Sequence, residues 1–323
     1  MTGPAPALIT AECFPTPALL LRTNDPVAQR TIREFAHKQA EAARALHQTL
    51  TDGLRDAHHL NARATAFRTA FDAVEDWRYW IAAASPQPTG RYAVGHVERF
   101  RTPITDDNPN LFRIGEPERF TDGAVWNPIT RTYAKGTETP ASRTMRRFAA
   151  LAAATFADSP NVRVVCNRVT LPDGRVVGGT RLLRGEAAHR AATEMVARIA
   201  ARGGDTSRII TDGKLIYTAS APETDRKKIF SSAMTLLAQN HATPAAALTA
   251  WLRAAYLLYQ APRRKRGNDA TIRTFLLAAG TCLLDLPPVL WHDLDLRAYV
   301  RPAEQFIAEL RAAQDSAFVH AVL

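Results

Sequence analysis

Residues 243–288 read TPAAALTAWLRAAYLLYQAPRRKRGNDATIRTFLLAAGTCLLDLPP. Thr243 followed by Pro244 is a helix start: a hydroxyl that can cap free amides, then a proline in the first turn. Leu248, Leu252, Ala255, Tyr256 and Tyr259 recur at spacings of three and four, which predicts a helix to about 260. A second helix is predicted over 268–284, ending before Leu286-Pro287-Pro288. Between the two lie Ala261-Pro262 and a basic run, Arg263-Arg264-Lys265-Arg266-Gly267-Asn268, whose last residue opens the second helix.

Upstream, the pattern is again mostly helical. Asn24-Asp25-Pro26 opens a helix in which Ile32, Ala36, Ala40, Ala43, Leu46 and Leu50 share a face, and Gly53 is expected to end it. Phe67, Phe71, Val74, Trp77 and Trp80 mark a helix over about 56–84, broken by Ser85-Pro86-Gln87-Pro88-Thr89-Gly90. Residues 91–140 are irregular, and long loops of this kind often carry function. A short helix is predicted at 141–156. Val162, Val164, Val165 and Val169, the turn Pro172-Asp173-Gly174, then Val176-Val177 predict a β-hairpin over 161–183. A helix at 185–203 follows, then a short strand pair at 207–218 turning at Asp212-Gly213. Ser220 and Glu223 have capping-box spacing and should open a helix to about 239. A last helix is expected at 302–314. The fold class is therefore mainly α with a small β element. Residues 1–22 read as an extended Pro-rich arm and 23–323 as one domain.

Lysine plus arginine exceed aspartate plus glutamate by 41 − 31 = +10. Such a chain attracts phosphates, on nucleotides or nucleic acid, though a basic solvated surface has the same composition. Cys13, Cys166 and Cys282 are scattered and odd in number, which suits neither a disulfide framework nor zinc and fits a reducing cytoplasm. No apolar run reaches a membrane span. Thr2 stands where N-myristoylation needs glycine, and the first residues lack the basic cluster of a secretory signal, so neither is expected.

The basic run sits where a helix presents unpaired amides and partial positive charge. Gly267 lets backbone approach a ligand, Asn268 is a candidate cap, and guanidinium groups fit phosphate oxygens. Phosphate binding is one reading; a basic surface loop with an ordinary cap is the other. His58 and His59 read as surface residues at a helix start. His96 reads as core, surface or cleft-facing, and His292, beside Asp293, as a loop histidine or a general base. Trp77 and Trp80 read as core.

Arg266-Gly267-Asn268 with Arg273 and Phe275 resembles the Fic signature, a Gly-Asn pair followed by arginine and a helix. Pro262 stands at the position of the Fic histidine and Arg266 at the usual acidic position, so Fic-type AMP transfer is not expected. The segment is more similar to the AvrB branch of the Fido (Fic/Doc/AvrB) superfamily, where an Arg-Gly pair opens a helix ending in Leu-Pro-Pro, as Leu286-Pro287-Pro288 does here. Asp295 matches an aspartate that follows. Asp76-Trp77-Arg78 resembles an acidic-Trp-Arg triplet, and Asn127-Pro128 with Tyr133 resembles a ligand-facing Thr-Pro and Tyr. Thr211 lies near a position where the family places a ligand-touching histidine.

The resemblance spans about residues 65–315 and implies a Fido-like helical bundle with a hairpin-bearing lobe over a cleft. It implies a group-transfer enzyme acting on a nucleotide-linked or phosphorylated substrate, in the AvrB manner a glycosyl transfer from a nucleotide sugar to an acceptor, protein or small molecule. Arg266 and Asp295 would carry catalysis. Gly267, Asn268, Arg273, Asn127, Tyr133 and Thr211 would bind substrate, and Asp295 would orient Arg266, contact the sugar or act as base. No tightly bound cofactor or metal is expected, any Mg²⁺ arriving with the nucleotide. Two alternatives stand beside this: phosphate elimination from a phosphorylated nucleoside in specialised metabolism, and a non-enzymatic basic nucleic-acid-binding protein. Against the last, the sequence shows no recognisable nucleic-acid module.

Overall fold

The computed structural model describes residues 5–86, 95–157 and 160–322. It is mainly helical with a small antiparallel β element. In chain order the helices are α1 (Pro26–Arg33), α2 (Phe35–Arg55), α3 (Leu60–Ala84), α4 (Pro140–Ala154), α5 (Glu186–Ala200), α6 (Glu223–Ala238), α7 (Pro244–Gln260), α8 (Asn268–Leu284), α9 (Leu294–Val300) and α10 (Ala303–Val322). The strands are β1 (Leu111–Ile114), β2 (Val125–Asn127), β3 (Thr132–Ala134), β4 (Val164–Thr170), β5 (Val176–Arg184) and β6 (Ile216–Ala219).

Helices α7 and α8 are apolar almost all round, and such a helix must be enclosed by others. Trp251, Leu252, Tyr256 and Tyr259 of α7 and Phe275, Leu276 and Leu277 of α8 are buried in the main core with residues of α2, α3 and α6. The Phe71 ring meets both Phe230 and Phe275 edge-on, at 5.0 and 5.1 Å. Trp251 donates its indole N–H to the Leu276 carbonyl at 2.9 Å, which satisfies the one polar atom of that side chain. Glycine at 280 has a packing reason. A Cβ there would lie 2.6 Å from Pro288 Cγ and 2.7 Å from Trp251 Nε1, so its absence lets the Leu286-Pro287-Pro288 segment lie against α8.

Strands β1, β6, β5 and β4, in that order, form one antiparallel sheet. Neighbouring residues of a strand face opposite sides. Leu182 accordingly joins Met145, Phe148 and Phe156 on the α4 side, while Leu183 joins Ala188, Ala192 and Tyr217 on the α5 side. Gln260, at the end of α7 and fully buried, ties the sheet to the helices. Its Oε1 accepts from the Thr180 amide at 2.9 Å, and its Nε2 donates to the Ala298 carbonyl. Gly179 lets β5 come this close, because a Cβ would sit 2.5 Å from that Oε1.

Several boundaries differ from the sequence reading. The first helix breaks at Glu34 into α1 and α2, and α2 runs through Gly53 to Arg55. His59 caps α3, its Nδ1 accepting from the Ala62 amide at 3.2 Å. Trp80, read as core, is 60% exposed. Residues 207–218 do not form their own strand pair; β6 pairs instead with β1 and β5. Ser220 does not cap α6. Its hydroxyl accepts from the Asn110 amide, and the Asp106 carboxylate takes the Glu223 amide at 2.8 Å. The last helix, expected over 302–314, is α10, which begins at Ala303 and runs on to Val322; the short α9 before it is an additional helix. The Pro-rich arm is three short 3₁₀ turns, with Ile9 and Phe14 buried in the main core. Residues 87–90 of the break after α3 lie outside the described residues.

Gly280→Ala should cost about 1–3 kcal/mol by overpacking against Pro288 and Trp251, measured by urea denaturation. An unchanged midpoint would show that the Leu-Pro-Pro segment does not depend on this contact.

Candidate functional site

The loop joining α7 to α8 is held by its own polar groups. The Asn268 Oδ1 accepts from the amides of Arg263 and Arg264, at 3.1 and 3.0 Å. Asn268 therefore fastens the preceding loop and does not cap α8; the cap position belongs to Gly267, at φ +80°. That is the left-handed region glycine tolerates. A Cβ at 267 would also lie 2.7 Å from the Phe100 ring.

The four cations of the run have different roles. Arg263 pairs with Asp72 at 2.6 Å, and Arg264 pairs with the buried Glu75 at 2.6 Å while donating to the Arg101 carbonyl. These two anchor the loop to α3. Lys265 donates to the carbonyls of Asn108 and Pro109, at 3.0 and 2.7 Å. Arg266 is hydrogen-bonded through Nη1 to His96 Nδ1. A guanidinium can only donate, so His96 Nδ1 must accept and the ring is neutral. Burial and then the neighbouring Arg266 hold the His96 pKa below its ordinary value, in keeping with that state.

Lys265 and Arg266 line a cavity of about 450 Å³ together with Arg99, Arg119, Thr218, Ser220, Asp295 and Tyr299. Burial, then Arg266 and Arg202, push Arg99 down to about 10. Burial, then Arg198, Arg99 and Arg202, push Lys265 down to about 7. Crowded, partly desolvated cations of this kind favour an anion that neutralises them.

Across the cavity stands Asp295 in the first turn of α9. Its placement depends on Arg273, which is 1% exposed. Arg273 Nε meets both Asp269 oxygens at 2.8 Å, and its terminal nitrogens donate to the carbonyls of Trp291 and His292, just before α9. Arg273 is thus the tie between α8 and the α9 approach. Its hydrogen bonds are with protein, so it acts by positioning rather than as a phosphate ligand. No ion pair joins Asp295 to any cation among the described residues; His96, not Asp295, orients Arg266. Burial, then repulsion from Asp269, raises Asp295 to about 7, with Arg273 partly opposing.

A second cavity, of about 380 Å³, opens on the other side of the loop. Gly267, Asp269, Ala270 and Arg273 line it, with Arg78, Phe35 and the arm residues Phe14 and Leu20. Leu19 and Asp295 border both cavities. Gly267 at the start of α8 and its neighbour Arg266, expected to face one anion, therefore line different cavities.

Asn127, Tyr133 and Thr211 are not brought to either cavity. Asn127 Oδ1 accepts from the Ile129 and Thr130 amides, an Asx turn that shapes the β2–β3 hairpin. Tyr133 packs on Trp126 across that hairpin, ring centroids 4.9 Å apart. His292 Nδ1 bonds the Thr16 carbonyl at 2.7 Å, the structural role of a loop histidine. Arg78, Arg99, Lys265 as a cavity residue, His96 as a partner of Arg266, and Asp269 were not singled out as site residues from sequence. Among the described residues no cluster could hold a metal ion, and no helix is long and apolar enough to cross a membrane.

No protein-family model and no curated protein matches the chain.

The raised Asp295 pKa has a thermodynamic consequence. Between about 3.8 and about 7 the folded state holds a proton there that the unfolded state has released, so the stability this site contributes at low pH is lost as pH rises through about 7. Asp295→Asn removes that dependence. Relative to wild type, the variant should gain stability between pH 5 and pH 8 in urea denaturation. Equal differences at both pH values would show that Asp295 ionises normally.

Proposed function

We propose that the chain is a group-transfer enzyme acting on a nucleotide-linked substrate, with the first cavity as donor site and the AvrB-like transfer of a sugar from a nucleotide sugar as its reaction. The observation that carries this reading is one juxtaposition: Arg99, Lys265 and Arg266 and the proton-accepting group Asp295 line the same cavity. Its volume is that of a small-molecule site.

The chemistry assigns each wall a task. Arg266 and Lys265 hold the diphosphate and stabilise the charge that develops on it as the sugar C–O bond breaks. The electron pair of that bond leaves with the phosphate. Asp295, ionised at or above neutrality, takes the proton of the acceptor hydroxyl, whose oxygen forms the new bond to the sugar carbon. A carboxylate with a pKa near 7 is a far better proton acceptor than one near 4, which is what burial beside Asp269 supplies. His96 supports the site indirectly: as a neutral acceptor it holds the Arg266 fork. A Fido-like body remains part of this proposal, resting on the Arg266-Gly267 helix start and Leu286-Pro287-Pro288. So does a cytoplasmic setting, consistent with three free thiols.

Asp295 also suits a second reaction at the same site. Abstraction of a carbon-bound proton, with loss of phosphate to the same cations, is the elimination of a phosphorylated nucleoside. Products distinguish the two: transfer yields a nucleoside diphosphate and a glycosylated acceptor, elimination yields inorganic phosphate and an unsaturated nucleoside.

Arg266→Ala should weaken nucleoside-diphosphate binding on the order of ten- to a hundredfold, from the roughly 1.5–3 kcal/mol of a hydrogen bond to a charged group. Arg266→Lys should recover part of it, since an ammonium keeps charge and loses the fork. Arg263 and Arg264 are anchored to Asp72 and Glu75, so the exposed Arg208 is the proper charge control. Calorimetric titration giving equal small losses for Arg266→Ala and Arg208→Ala would refute the donor site.

A further inference from the structure

Among the described residues Arg78 is a cavity-lining arginine with no acid paired to it. It projects from α3 into the second cavity, its guanidinium between two aromatic rings, 4.3 Å from the Phe100 centroid and 5.2 Å from that of Phe35. Among the described residues no carboxylate lies within ion-pair distance of it, and its buried Nε meets no hydrogen-bond acceptor. The contrast with its neighbours is informative. Arg263 and Arg264, on the same loop–helix junction, are both neutralised by acids of α3, and Arg273 by Asp269. Stacking on rings fixes a guanidinium plane and offsets part of its charge, but it supplies no acceptor for the N–H edge. Burial, then Arg266, holds Arg78 down at about 10, the cost of keeping that charge without a counter-ion.

The rest of this cavity is largely apolar. Phe14, Pro17, Leu19 and Leu20 of the arm form one side, and Ile32, Phe35 and Ala36 the other. The arm is fixed over it: the Ala18 amide donates to the His292 carbonyl at 3.0 Å, and Phe14 is buried in the core. A protein segment would have to displace these contacts, whereas a small molecule fits the roughly 380 Å³ they leave. The two acids on the wall are Asp269, neutralised by Arg273, and Asp295, which also borders the donor cavity.

We propose that the second cavity is the acceptor site, and that it takes a small molecule with an apolar ring body and a single carboxylate, the carboxylate on Arg78 and the reacting hydroxyl towards Asp295. This rests on the donor reading of the first cavity for its role as acceptor, but its binding chemistry stands on Arg78 and the apolar walls alone. Asp295 is then the residue at which donor and acceptor meet. The arm residues that line this cavity favour a small-molecule acceptor over a protein segment.

The test is direct binding to the full chain. A panel of aromatic and alicyclic hydroxy-monocarboxylates, each beside its neutral primary amide, is titrated by calorimetry and ligand-observed NMR, with and without saturating inorganic diphosphate. At least one acid should bind tenfold or more tightly than its amide and remain bound in the presence of diphosphate. Arg78→Met, which keeps an apolar stem between the rings, should abolish the preference for acid over amide. Ile32→Trp should block acid and amide alike while leaving diphosphate binding unchanged, which covers the case of a poorly folded Arg78 variant. Absence of binding across the panel, equal affinity of acids and amides, or competitive displacement by diphosphate would each overturn the proposal. Diphosphate binding that survives while every acid fails removes the acceptor site alone. Acid binding that survives while diphosphate fails removes the donor reading and leaves the Arg78 site standing.

Discussion

The pair of buried Arg273 with half-buried Asp269 is the interaction on which the site depends. Both residues stand on α8, yet the guanidinium reaches out to the carbonyls of Trp291 and His292. It therefore fixes where α9 begins, and with it Asp295. Tyr259 of α7 joins the same cluster, its hydroxyl donating to Asp269 at 3.0 Å. Removing one member of a buried pair leaves the other charge uncompensated, which is why such clusters hold geometry so firmly. The pair also sets the electrostatics. Asp269 takes up most of the Arg273 charge, which offsets only part of the burial of Asp295, and among the described residues no cation forms an ion pair with Asp295.

A second constraint is the division of labour along four consecutive cations. Arg263 and Arg264 are bound to α3 acids and Lys265 to two carbonyls, while Arg266 is steered by a neutral histidine. Composition treats these as one basic run. Only the acids facing them, Asp72 and Glu75 on a helix nearly two hundred residues earlier, determine which are structural. The αL glycine at 267 completes the arrangement, turning the chain into α8 so that one side of the loop faces each cavity.

Much of the fold was legible because it is periodic. The apolar faces of α3, α7 and α8 and the Pro-Asp-Gly hairpin appear in the structure close to their expected places. Thr243 caps α7, its hydroxyl accepting from the Ala246 amide at 3.1 Å. What was not legible depended on distant partners. The strand at 216–219 could not be assigned its neighbours from local alternation, since one lies a hundred residues upstream. Ser220 has capping spacing, yet the amide of Asn110 claims its hydroxyl. In the site, Arg266 and Asp295 were read from motif and do share a cavity, while Asn127 and Tyr133 were carried by the same resemblance and are occupied in their own hairpin. In the sequence Arg78 is one member of an acidic-Trp-Arg triplet; that no acid pairs with it among the described residues depends on everything packed around it.

On the proposed function, phosphate groups of a nucleotide-linked donor lie on Arg266 and Lys265 within the cavity that Asp295 borders. A crystal structure of the chain with a nucleoside diphosphate tests it most directly. Diphosphate density is expected in the cavity lined by Arg99, Lys265 and Arg266, hydrogen-bonded to the Arg266 guanidinium, with the ribose or base extending along β1 and Tyr299. Diphosphate seated elsewhere, or contacting neither Arg266 nor Lys265, would contradict it.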